Sequence, residues 1–253
     1  MAILSTLMGV FAPIFLILSP FTSYTDQILS IHRTRTSAGF ALDIPGIMLT
    51  ASILKIFYWP GARYDMSLLV QAFLMLGVQM TLLKVALDNR PAWRGERPFT
   101  EVGKSLAENS TGRPFDFWRW KQQRPYWEYL LFLVFGLLVL HTLLQPDGSS
   151  LYTRFIGGLG LTIEATLPLP QLYANYRARS CKGFRVSVLA NWLFGDMMKM
   201  GYFFASEAGR VPWAFKLCGM FQAGCDACLG IQYWMYGEGE TTGDLDTRFP
   251  MRT

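Results

Sequence analysis

Long apolar runs alternate with short basic segments along this chain. Met1 to Thr25 and Met66 to Leu83 contain no charged residue, and Tyr129 to Gln145 contains only His141 besides neutral side chains. Four further apolar segments carry a few charges each: Asp43 to Trp59, Tyr152 to Tyr176, Phe184 to Ser206 and Val211 to Tyr236. Runs of this length match a hydrocarbon core about 30 Å thick. The pattern therefore predicts an all-α polytopic membrane protein with seven transmembrane helices, arranged three plus one plus three. The first run has no basic start and no small-residue cleavage site before Pro20, so it reads as a retained helix rather than a signal peptide.

An internal repeat supports the grouping. Gln27 to Trp59 aligns without gaps to Gln171 to Phe203 at a constant offset of 144, sharing Gln27/Gln171, Arg33/Arg177, Arg35/Arg179, Gly39/Gly183, Phe40/Phe184, Leu49/Leu193, Lys55/Lys199 and Tyr58/Tyr202. Two like halves, each keeping a lysine at the same depth of an apolar segment, predict two parallel three-helix bundles. The fourth span is then an inversion-linker helix. The expected boundaries are a first repeat over 1–88, a connector over 89–125, the linker helix over 126–147, a second repeat over 148–236 and an acidic tail over 237–253.

Composition changes the picture little and charge orients it. The chain is 51% apolar and 16% charged with a net charge of +5, against about 25% charged residues in soluble domains. Sixteen Lys and Arg fall on the face that receives the first, third and fifth loops and the C-terminus, and three on the other face. The positive-inside rule places the N-terminus in a lumen and the C-terminus in the cytosol. Phe115, Phe117, Trp118, Trp120, Tyr126 and Trp127 alternate with Arg119, Lys121 and Arg124. Aromatic bodies with basic heads suit a cytosolic headgroup layer, which argues against nucleic acid as a partner. Cys225 and Cys228 are one helical turn apart without further ligands, so they read as packing residues, and no metal, cofactor or enzyme constellation stands out.

Chemistry concentrates in the apolar segments, where each charge costs at least ~2.5–3.5 kcal/mol unless paired or wetted. The candidates are Lys55, Glu164, Asp196, Lys199 and Asp226, with Asn191 and Gln222 as polar neighbours. Counting about 1.5 Å per residue from Phe184 puts Asp196 ~18 Å and Lys199 ~22 Å deep. Their spacing of three sets them on one helical face and predicts that they pair. Lys55 has Ser52 where its copy has Asp196, so its partner is expected from another span, Asp226 or Glu164. Two bases and three acids leave one carboxyl facing water or carrying a proton, and Glu164, just before Pro168 and Pro170, is the expected carrier.

Leu167-Pro168-Leu169-Pro170-Gln171-Leu172, followed by the basic turn Arg177 to Lys182 and Gly183-Phe184, resembles the PQ-loop family of seven-helix proteins. Pro170 is expected to kink its helix and free a carbonyl that Gln171 can reach, forming a hinge. The first copy has Asp26-Gln27 where Pro-Gln is expected, with Pro20 earlier in that span. Arg33-Thr34-Arg35, Trp118/Trp120, Glu164 to Tyr173, Gly195-Asp196 with Lys199, and Gln222 with Asp226 are similar to one branch of the family. That branch comprises the eukaryotic PQ-loop proteins that oppose aminophospholipid flippases at Golgi, trans-Golgi and endosomal membranes and are regarded as phospholipid scramblases.

The resemblance implies energy-independent scrambling of phospholipids along a polar intramembrane groove, with a functional link to the flippases. Other members imply a proton-coupled carrier of amino acids or other small solutes in endolysosomal membranes. A third reading is a receptor that captures a ligand without transport. The lipid reading is the one adopted.

Overall fold

In the computed structural model the described residues are 2–37, 42–90, 117–118, 120, 122–144, 150–181, 186–206 and 210–237. The acidic tail beyond 237, most of the connector, and Arg119, Lys121, Lys182 and Gly183 lie outside them. All regular structure among the described residues is helical. The helices are α1 (Ala2–Thr34), α2 (Asp43–Ala62), α3 (Met66–Asp88), α4 (Arg124–Leu144), α5 (Leu151–Ala165), α6 (Leu169–Ala178), α7 (Val186–Ala205) and α8 (Trp213–Tyr236).

Six positions around a circuit organise the packing: α1 lies against α3, α3 against α2, α2 against α5, α5 against α8, α8 against α7, and α7 back against α1. Each half contributes its first, third and second helices in that order. Taken alone, α3 and α4 are long and apolar enough to cross a membrane. Others in the circuit turn charges inward, with Lys55 5%, Asp196 7% and Asp226 2% exposed. Large apolar side chains such as Phe132, Phe135, Leu143, Phe155 and Trp234 point outward instead.

The repeat is visible in backbone detail. Arg35 and Arg179 occupy equivalent positions and both take the left-handed conformation, at φ 54° and 50°. Two residues later, Ser37 N–H donates to Asn89 O at 2.9 Å and Cys181 N–H donates to Gly237 O at 3.0 Å. Asn89 and Gly237 close α3 and α8 respectively. Each half is thus clasped from the end of its first helix to the end of its third.

The prolines act differently from expectation. The break in the fifth predicted span falls at Thr166–Pro168, between α5 and α6, while Pro170 sits in the first turn of α6. A missing N–H is harmless there because first-turn donors have no intrahelical partner. Gln171 Nε2 donates to Asn175 Oδ1 at 2.7 Å rather than to a freed carbonyl. In the first half, α1 runs unbroken through Pro13 and Pro20. The carbonyl that Pro20 leaves without its usual partner, Leu16 O, accepts the Ser19 hydroxyl at 2.8 Å.

The aromatic segment before α4 also departs from expectation. Trp118 and Tyr126 are buried, and the Trp118 indole N–H donates to Leu42 O at 2.6 Å. Trp118 crosses α2 at Gly46, where any Cβ would lie 2.5 Å from the indole. Arg90 binds Trp120 O at 2.8 Å and the Tyr126 hydroxyl at 2.5 Å. Burying these rings removes more apolar area from water than a headgroup-level position would. The cluster pins one end of α4 to α2. His141 near the other end packs on Phe57 and Tyr152.

Candidate functional site

Polar residues from both halves meet inside the circuit. Lys55 on α2 reaches across the seam to Glu164 on α5, with Nζ 2.7 Å from Oε2 and side chains 6% and 14% exposed. Glu164 is therefore the partner of Lys55. That contact removes Glu164 as the expected proton carrier, because its charge is already matched.

Lys199 does not pair with Asp196. Its ammonium donates to Gln222 Oε1 on α8 at 3.0 Å, and no ion pair within 4.0 Å joins it to Asp196 among the described residues. The three-residue spacing allowed a contact, but the long lysine side chain leaves its own helix for the neighbouring one. Asp196 instead lines the same cavity as Asp226 of α8, and both are buried. Asp196 Oδ2 and Asp226 Oδ1 are sealed from solvent and receive no N–H or O–H from the described residues. Carboxylate oxygens only accept, so two buried carboxyls on one cavity cannot satisfy each other while both are ionised. The surplus carboxyl thus belongs to this pair.

The first half holds neutral counterparts. Ser52 is the equivalent of Asp196 by the constant offset. Aligning the third helices on their N-cap residues, Asp65 and Pro212, sets Gln79 opposite Asp226. Ser52 and Gln79 are fully buried. The offset extended to α5 sets Pro20 opposite Glu164. The first half therefore offers Lys199 no carboxylate in the place from which Glu164 answers Lys55.

The two seams between the halves differ in closeness. Where α5 meets α2, a Cβ on Gly157 would lie 2.5 Å from the Tyr58 ring, and one on Gly160 would lie 2.9 Å from Leu54 Cβ. Pro13 and Leu16 stand at the equivalent positions of α1, so α1 cannot approach α7 as closely. Gly195 of α7 has nothing within 4 Å of where its Cβ would be. A cavity of about 100 Å³ lies on this side, lined by Phe15, Ser19 and Tyr24 of α1 and by Asn191, Asp196 and Lys199 of α7, with Glu164, Gln222 and Asp226 behind them. Gln71 of α3 also lines it and donates to Ser19 Oγ at 3.2 Å.

Toward the Asp65 end the seam is filled. Tyr64 stacks on Tyr58 and meets Phe215, which packs on Phe203. The Tyr64 hydroxyl donates to Lys55 O at 2.9 Å. Asp65 N–H donates to Arg210 O at 3.2 Å, linking the halves above these rings. At the opposite end lie Pro168, which lines the cavity, and the more distant Pro170, Asp26 and Gln27. Sequence reasoning thus found the lysines and carboxyls but missed Ser19, Tyr24 and Gln71. Their signal was only a polar residue in an apolar helix.

A six-helix circuit enclosing inward charges, with apolar side chains outside it, defines a polytopic membrane protein. The PQ loop repeat model matches residues 152–208 of the chain, which contain Pro170-Gln171, Asp196 and Lys199. Among relatives, the chain is 28% identical to Scramblase ANY1 of Saccharomyces cerevisiae over 283 aligned positions, covering 86% of this chain and 68% of the yeast protein.

Proposed function

We propose that the protein is a phospholipid scramblase of Golgi, trans-Golgi and endosomal membranes. The observation that carries the reading is the unequal pair of seams. One is packed glycine against side chain, while the other borders a charged cavity between α1 and α7. In this reading seven spans form two parallel three-helix bundles, α1–α3 and α5–α8, with α4 as the linker, the N-terminus luminal and the C-terminus cytosolic. Headgroups move along the α1/α7 seam while acyl chains stay in the bilayer. Lys199, Asn191, Gln222, Asp196 and Asp226 line the path, and the Lys55–Glu164 pair holds the closed seam beside it.

Scrambling needs no covalent step and no energy source, because lowering the headgroup's desolvation barrier accelerates both directions equally. The cavity also favours lipid over solute. At about 100 Å³ the cavity is smaller than the ~300–1,000 Å³ usual for pockets that enclose a whole small ligand, whereas a lipid keeps its tails outside. A headgroup entering from the side needs no larger enclosed volume.

The test is purified protein in liposomes containing labelled phospholipid, read with a membrane-impermeant quencher. Quenching of nearly all label is expected, slowed by Lys199→Ala. A plateau at the outer-leaflet fraction with folded protein overturns the reading and directs attention to proton-coupled solute uptake, for which the Asp196–Asp226 pair is the natural carrier.

A further inference from the structure

The charges in the cavity leave a definite remainder. Lys55 and Glu164 cancel at 2.7 Å. Among the described residues Lys199 donates to the neutral Gln222 oxygen and has no counterion within 4.0 Å. Asp196 Oδ2 and Asp226 Oδ1 are buried and receive no donor from the described residues. Both are more than nine-tenths buried, and both line the same cavity as Lys199. The cavity thus presents a cationic end at Lys199 and an acidic end at Asp196 and Asp226.

We infer that the cavity binds a zwitterionic phospho-ammonium headgroup end to end, with phosphate on Lys199 and a protonated primary amine on the Asp196–Asp226 pair. The inference rests on the scramblase reading and adds a substrate class to it. A phosphate is a strong acceptor and suits an ammonium whose present partner is neutral. The carboxyl pair lacks donors, and a primary ammonium brings three, whereas a trimethylammonium brings none. A serine headgroup adds a carboxylate for which the cavity holds no second free cation among the described residues, since Lys55 is engaged. The structure therefore selects ethanolamine-type over choline-type and serine-type headgroups. Charge-assisted hydrogen bonds to a buried carboxylate correspond to about a tenfold or larger preference.

The experiment compares acyl-labelled lipids with identical tails and ethanolamine, choline or serine heads in liposomes, with a quencher readout. Ethanolamine lipid is expected to scramble about tenfold faster than choline lipid, and the ratio is expected to fall to about one in Asp226→Asn and Asp196→Asn. These changes are isosteric, and thermal melts in detergent confirm that the variants are folded. Equal wild-type rates overturn the inference alone, as does a ratio that survives both variants. Faster choline lipid also overturns it, assigning recognition to the aromatic lining, Phe15, Tyr24 and Trp192. No scrambling of any lipid removes the underlying reading as well. Liposome uptake of free radiolabelled phosphoethanolamine distinguishes the source: none is expected, and uptake without scrambling keeps the amine site but overturns its assignment to lipid.

Discussion

The Lys55 ammonium lies 2.7 Å from the Glu164 carboxylate across the seam between the two halves of the chain, with both side chains largely buried. The pair makes two lysines that are equivalent in sequence unequal in energy, because among the described residues Lys199 has only a glutamine oxygen.

Removing one member of a buried ion pair strands the other charge. Lys55→Ala and Glu164→Gln should each lower stability, Lys55→Ala by ~3–5 kcal/mol. The double variant Lys55→Met/Glu164→Leu should recover most of that loss. Lys199→Ala should cost far less, since it breaks one hydrogen bond to a neutral group. Thermal midpoints in detergent check the ordering, and equal losses for Lys55→Ala and Lys199→Ala would contradict it.

Glycines on the two seams should respond with opposite sign. Gly160→Ala pushes a methyl to 2.9 Å from Leu54 Cβ and should destabilise by ~1–3 kcal/mol. Gly195→Ala meets open space in mid-helix and should stabilise by roughly 0.5–1 kcal/mol. A melt of each variant against wild type decides, with Gly195→Ala also expected to slow scrambling by narrowing the cavity.

Trp118 holds α4 against α2. Trp118→Ala removes a buried indole and its bond to Leu42 O, and should cost ~3–5 kcal/mol. Limited proteolysis should then cut near residue 120 at protease levels that leave wild type intact.

The Ser19 hydroxyl substitutes for the N–H that Pro20 lacks. Ser19→Ala should cost ~1 kcal/mol in the native background. In Pro20→Ala, where an N–H again faces Leu16 O, the same change should cost less. A cycle of the four proteins measures the coupling, and no difference between backgrounds would show that the bond contributes nothing.

Much of this was legible in the sequence where position along the chain decides. The offset of 144 anticipated that Arg35 and Arg179 end their helices alike, and the burial of Lys55, Asp196 and Asp226 followed from their place in apolar runs. Pairing was not legible. Asp196 and Lys199 share a helical face, yet Lys199 reaches Gln222 on α8 instead, because interhelical distances and lysine reach are set by packing. The hinge was misplaced for a related reason: a proline's effect depends on whether its turn has begun, and Pro170 falls where no N–H was needed. Trp118 was assigned to a surface because its alternation with arginines hides the Gly46 notch that receives it.

The unequal distribution of buried charge also governs what the halves can assemble with. Two copies of the first half would enclose two lysines and no acid from the matched positions. Two copies of the second would enclose six carboxyls against two lysines. One of each sets three carboxyls against two lysines, the pairing nearest to neutrality. In charge the two halves are complementary rather than self-complementary.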